Sequence, residues 1–69
     1  MTQKPVRFGL IGTGRIGQVH AASIAAAPEA TLSWVADPFI EGARSVAERF
    51  GGTATESAEE LIASGEIDA

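Results

Sequence analysis

Three observations in the 69-residue sequence predict an α/β fold, the N-terminal part of a doubly wound parallel sheet in the order β-α-β-α-β-α. Short runs of β-type composition alternate with runs of helical period. Glycine or proline marks each break between them. The helices follow the strands closely enough for right-handed crossovers, which join parallel strands.

The first strand is Val6 to Ile11: Val6, Phe8 and Leu10 alternate on one face, and Gly9 and Ile11 lie on the other, as in a strand covered on both sides. Gly12-Thr13-Gly14 breaks it. From about Arg15, Ile16, Val19, Ala22, Ile24 and Ala26 recur at roughly helical spacing, which makes them the expected packed face of a helix ending before Pro28. Thr31 to Ala36 resumes β-type composition and stops at Asp37-Pro38, because proline cannot extend a central strand. A second helix runs from Phe39 or Ile40 to Phe50. It has Ala43, Val46, Ala47 and Phe50 on one side, Glu41, Arg44, Glu48 and Arg49 on the other, and Gly51-Gly52 as its C-terminal cap. Thr53-Ala54-Thr55 is a very short strand. Ser57 then N-caps a third helix, with Glu60 completing a capping box and Leu61 and Ile62 supplying apolar contact. Ser64-Gly65 ends that helix, and Ile67-Asp68-Ala69 reads as the start of a further strand.

Composition bounds the function. Hydrophobic residues make up 45% and charged residues 20%, an ordinary globular balance. A chain this short buries only about 60% of its unfolded surface, so marginal stability is expected. With no cysteine there is neither a disulfide scaffold nor thiolate metal ligation, and a cytoplasmic setting is the expectation. The polar opening Met1 to Pro5 and the apolar run after it are too short for a signal segment or a membrane span. A net charge of −4 with five scattered basic residues argues against a grip on nucleic acid.

Gly12-Thr13-Gly14-Arg15-Ile16-Gly17 is a GxGxxG, a weak signal alone because glycine-rich turns are common. Its context strengthens it: a strand precedes it, a helix follows, and Asp37 stands twenty positions after Gly17 at the end of the second strand. In a dinucleotide fingerprint of this Rossmann type, Gly12 permits the tight turn, Gly14 lets pyrophosphate reach the backbone, and Gly17 lets helix and strand pack closely. The N–H groups of Arg15 and Ile16 at the helix start would bind the phosphates. The Asp37 carboxylate would accept the adenosine ribose hydroxyls and repel a 2′-phosphate, which favours NAD over NADP. Two plainer readings stay open: the glycines only make a tight turn, and Asp37 only caps the next helix. Arg15 lies along the pyrophosphate or points to solvent. His20 has no nucleophile or carboxylate partner at catalytic spacing, Trp34 reads as core against a helix, and Glu56, Glu59 and Glu60 read as a solvated helix start, so no metal is implied.

The stretch Gly9 to His20, with its GxGxxGxxH form, then Val35-Ala36-Asp37-Pro38, then Glu59-Glu60-Leu61-Ile62 before Ile67-Asp68-Ala69, resembles the start of the Gfo/Idh/MocA oxidoreductases, and within them the inositol dehydrogenase branch. The resemblance covers essentially the whole chain. It implies that residues 1–69 are the N-terminal part of an NAD(P)-binding Rossmann domain, ahead of a large α/β domain that this stretch lacks. It further implies hydride transfer from a secondary alcohol of a sugar or cyclitol to the nicotinamide. Gly12, Gly14, Arg15, Ile16, Gly17 and Asp37 carry over as cofactor positions. The family's catalytic lysine, in a Glu-Lys-Pro motif, and its downstream Asp and His match nothing within these 69 residues. The expected cofactor is NAD and the expected partner a small polyol or sugar, with no nucleic acid or membrane and a homo-oligomer for the whole enzyme. The alternative is a stand-alone nucleotide-binding or regulatory module without catalysis.

Overall fold

The computed structural model describes residues 5–69; the polar opening at residues 1–4 lies outside them. Among the described residues the order is β1 (Val6–Ile11), α1 (Arg15–Ala26), β2 (Ala30–Ala36), α2 (Ile40–Phe50), β3 (Thr53–Thr55) and α3 (Ala58–Ala63), as the sequence predicts. All strand pairs are parallel, in the order β1-β2-β3. No helix among the described residues is long and apolar enough to cross a membrane.

One face of the sheet meets α1 and α2. Leu10, Leu32 and Val35 from the strands join Ala21, Ala43 and Val46 from the helices in the buried core, with Ile24, Ile40, Phe50 and Ala54 packed at its margin. Leu32 and Val35 are three residues apart yet share this face, because the β1/β2 register shifts between Phe8 and Gly9 and leaves Ser33 as the extra residue of a bulge. The other face meets α3: a side chain at Gly9 would run into Leu61 Cδ2 at 2.6 Å and Ile67 Cδ1 at 3.1 Å. Trp34, paired with Gly9, lies in this second layer, outside the main core. It is half-buried, and its indole N–H donates to Glu66 Oε1 at 2.7 Å.

Two expectations about helices need correction. The packed face of α1 is Gly17, Ala21 and Ile24, whereas Ile16 and Val19 are 67% and 56% exposed and Ala22 and Ala26 are exposed. Small residues hold this helix close to the sheet, so the larger apolar side chains mark the wrong stripe. The capping box of α3 is also only half reciprocal. Ser57 Oγ accepts the Glu60 N–H at 3.1 Å, but the Glu60 carboxylate takes the Thr55 hydroxyl at 2.6 Å, and Thr55 Oγ1 in turn accepts the Ser57 N–H at 3.1 Å. Buried Thr55 thus relays the second bond of the box.

Ile67-Asp68-Ala69 reaches the free side of β1. Ala69 donates to Arg7 O at 3.2 Å and accepts from Gly9 N at 2.9 Å, the two bonds of a parallel pairing. Asp68 adds an ion pair to Arg7 at 3.2 Å and accepts the Arg7 N–H at 2.8 Å. With α3 on the face opposite α1 and α2, the chain reverses its direction across the sheet at β1. The carboxyl end of β1 is therefore the switch point at which open α/β sheets bind ligands.

Candidate functional site

The motif turn stands at that switch point. Gly12 has φ +100°, a conformation that costs any other residue strain, and its N–H donates to Ala36 O at 2.8 Å, tying the turn to the end of β2. Gly17 follows because α1 starts so close to the turn: a Cβ there would stand 2.2 Å from Gly12 O. The close approach is therefore between the helix and the carbonyl of the turn itself.

Gly14 is different. As N-cap of α1 it has φ −67° and ψ −169°, open to any residue, and apart from its own chain neighbours no protein atom lies within 4 Å of where a Cβ would stand. Nothing in the fold requires glycine there, but a pyrophosphate pressed against the backbone would. The helix beginning at this point has neither a side-chain cap nor an acidic residue in its first turn. Its first intrahelical bond is Gln18 N to Gly14 O at 2.9 Å, so the N–H groups of Arg15, Ile16 and Gly17 are left for another acceptor. Such a helix start attracts anions through those donors and its dipole. Arg15 and Ile16 are exposed beside it. These residues fit a dinucleotide's phosphates.

Asp37 sits at the end of β2, facing the turn. Its Oδ2 accepts both the Thr13 N–H and the Thr13 hydroxyl at 2.7 Å each, and its Oδ1 accepts the Phe39 N–H at 2.8 Å. The Thr13 hydroxyl, then the Phe39 N–H and the Thr13 N–H, hold the carboxyl below the usual aspartate range. The bond to Phe39 is an Asx turn ahead of α2. Phe39, not Asp37, is the N-cap of that helix, which has no side-chain cap bond, so Asp37 shapes the approach to α2 without capping it.

The sequence reading did not single out Thr13 for a role of its own, or Gly42 at all. Thr13 is buried, and a Cβ on Gly42 of α2 would stand 2.4 Å from its hydroxyl oxygen. His20, Arg44 and the acidic residues of α3 lie away from this cluster. His20 is exposed on α1, Arg44 pairs with Glu41 at 3.0 Å on the outer side of α2, and no group of acidic or histidine side chains that could hold a metal ion occurs among the described residues.

Residues 6–69 match the family model GFO_IDH_MocA, "Oxidoreductase family, NAD-binding Rossmann fold". The chain is 48% identical over 46 residues to an inositol 2-dehydrogenase of Rhizobium meliloti (strain 1021), covering 67% of this chain and 14% of that protein. It superposes with TM-score 0.87 and 52% identity on a myo-inositol dehydrogenase from Corynebacterium glutamicum ATCC 13032, over 93% of this chain and 19% of that one. KijD10, a 3-ketoreductase from Actinomadura kijaniata solved with NADP, gives TM-score 0.89 at 28% identity, over 96% of this chain and 21% of its own. The chain thus spans about a fifth or less of the length of these proteins.

Proposed function

The chain belongs to the Gfo/Idh/MocA oxidoreductase family with its NAD-binding Rossmann fold, and from that membership we propose that it holds the adenosine and pyrophosphate half of NAD in a dehydrogenase acting on inositol or a related cyclitol or sugar. The observation that carries the cofactor part is Gly14: a glycine free of backbone strain and of protein neighbours, at the uncapped start of α1. The N–H groups of Arg15, Ile16 and Gly17 take the pyrophosphate, and Asp37 takes the adenosine ribose. The Asp37 charge disfavours a 2′-phosphate, and no arginine stands at Pro38 or Phe39 to neutralise one, which supports NAD over NADP. A bound nicotinamide would supply a hydride acceptor for the oxidation of a secondary alcohol to a ketone. The substrate class is supported by the similarity to inositol dehydrogenases. The whole enzyme is soluble and homo-oligomeric in this reading.

The test is calorimetric titration of the full-length protein with NAD and NADP, followed by turnover on a panel of cyclitols and sugars. Tighter binding of NAD and NADH production with inositol support the reading. Tighter binding of NADP would overturn the cofactor preference, and dinucleotide binding without oxidation of any cyclitol or sugar would leave a binding module in place of a dehydrogenase.

A further inference from the structure

We propose that Thr13 is a positioning residue for dinucleotide recognition, its hydroxyl clamped between Gly42 and Asp37 so that one carboxylate oxygen is fixed and the other faces the ribose. The proposal rests on the NAD reading above and deepens it. A carboxylate oxygen accepts about two hydrogen bonds. Oδ2 of Asp37 receives two, from the N–H and the hydroxyl of Thr13, and is filled. Oδ1 receives one, from Phe39 N–H, and keeps one acceptor direction. Asp37 therefore offers a ribose hydroxyl a single prepared oxygen, and the Thr13 bonds decide which one it is.

Two features make the clamp more than a local turn. Thr13 lies on the glycine turn and Asp37 on the end of β2, 24 positions apart, so the bond joins the phosphate-binding element to the ribose-binding one. Gly42, from a third element, leaves the Thr13 hydroxyl just enough room, since a methyl group there would overlap it at 2.4 Å. The hydroxyl is buried and has one place to go. The Thr13 carbonyl is occupied as well, accepting from Gln18 Nε2 at 3.3 Å.

The closing experiment measures Kd for NAD and NADP in full-length wild type and in Thr13→Val, Thr13→Ser, Gly42→Ala and Asp37→Ala, with KM and kcat beside them. Thr13→Val keeps the side-chain shape and removes the hydroxyl. It is expected to weaken NAD about three- to tenfold, the scale of one hydrogen bond to a charged group only partly expressed in binding. NADP binding should change little, so the NAD:NADP affinity ratio falls, and KM for NAD rises with kcat nearly unchanged. Thr13→Ser restores the ratio. Gly42→Ala, which displaces the hydroxyl while keeping Thr13, lowers it; if that variant does not fold, the Val and Ser pair decides alone. A Thr13→Val ratio within twofold of wild type, with Asp37→Ala lowering it, overturns the clamp and leaves the NAD reading standing. Equal losses for both dinucleotides also overturn it, since they mark a merely structural role. A wild type that binds neither dinucleotide overturns the NAD reading itself and the clamp with it.

Discussion

Alanine at Gly14 and alanine at Gly17 each add one methyl group to the same turn, yet the two methyls meet different surroundings. At Gly17 the methyl would stand 2.2 Å from Gly12 O and 2.9 Å from Gly12 C, both backbone, so the turn must move. Gly17→Ala is expected to lose about 1–3 kcal/mol of stability in denaturant unfolding, as overpacked sites do. At Gly14 the methyl meets no protein atom and an ordinary φ. Gly14→Ala is expected to unfold within about 0.5 kcal/mol of wild type, or slightly later. It is also expected to bind NAD on the order of tenfold more weakly, read by titration. Loss of stability at Gly14, or unchanged affinity, would remove the phosphate assignment. Asp37 makes a prediction in pH. Its carboxyl is held below the unfolded value by the bonds from Thr13 and Phe39. Their contribution is therefore complete above about pH 4, the unfolded aspartate range, and is lost as pH falls through the lower folded value. Thr13→Val removes the largest cause of that lowering, so the gap in stability between it and wild type should narrow on acidification below about pH 4. A gap that widens on acidification would contradict the bond. The glycine turn and the aspartate that faces it, Asp37, were legible in the sequence because the fingerprint is a local spacing. The contacts of Thr13 with Asp37 and with Gly42 were not, because they are made only when β1, β2 and α2 come together.

Among the elements, periodicity found every strand and helix, because each carries its own break residues, and it failed where packing depends on size. In α1 the apolar count favoured Ile16 and Val19, whereas the sheet takes the helix at Gly17 and Ala21, where side chains are smallest. Ala21 is fully buried, so Ala21→Leu has no room and is expected to destabilise by about 1–3 kcal/mol in thermal or denaturant unfolding. An Ala21→Leu protein as stable as wild type would mean that α1 sits farther from the sheet. In α3 the capping residues were legible, but the partner of Glu60 was not, since Thr55 enters the network from β3 by way of the chain's turn. Ser57→Ala removes one cap acceptor and should cost about 1 kcal/mol. Thr55→Val removes two hydrogen bonds at once, to the Ser57 N–H and to the Glu60 carboxylate, at a buried side chain, so it should cost about 1–3 kcal/mol. Finding Thr55→Val milder than Ser57→Ala would show the relay to be dispensable.

For the molecule as a whole, what places the site is strand order, and no local pattern in the sequence carries it. The run of β and α segments predicted a parallel sheet, but whether Ile67-Asp68-Ala69 extends it beyond β3 or returns beside β1 depends on which face α3 takes. Gly9 decides this physically: with no side chain of its own, it admits Leu61 and Ile67 onto the face opposite α1 and α2. The chain then comes up beside β1, where Ala69 bonds to Arg7 O and Gly9 N. β1 is consequently an interior strand over Arg7 to Gly9, bonded to β2 on one side and to residues 68 and 69 on the other. The Arg7–Asp68 ion pair adds little to this, because both side chains are nearly half exposed and water screens the attraction between them. The backbone bonds and the packing at Gly9 must hold the arrangement. Amide hydrogen exchange on the full-length protein tests it: the Gly9 N–H should exchange about as slowly as that of Val35 in the core, and Asp68→Ala should speed exchange at Arg7, whose N–H it receives, far more than at Gly9. Fast exchange at Gly9 would place residues 67–69 elsewhere. The reversal at β1 would then go, and with it the reason for a crevice at the end of that strand where the glycine turn and Asp37 meet.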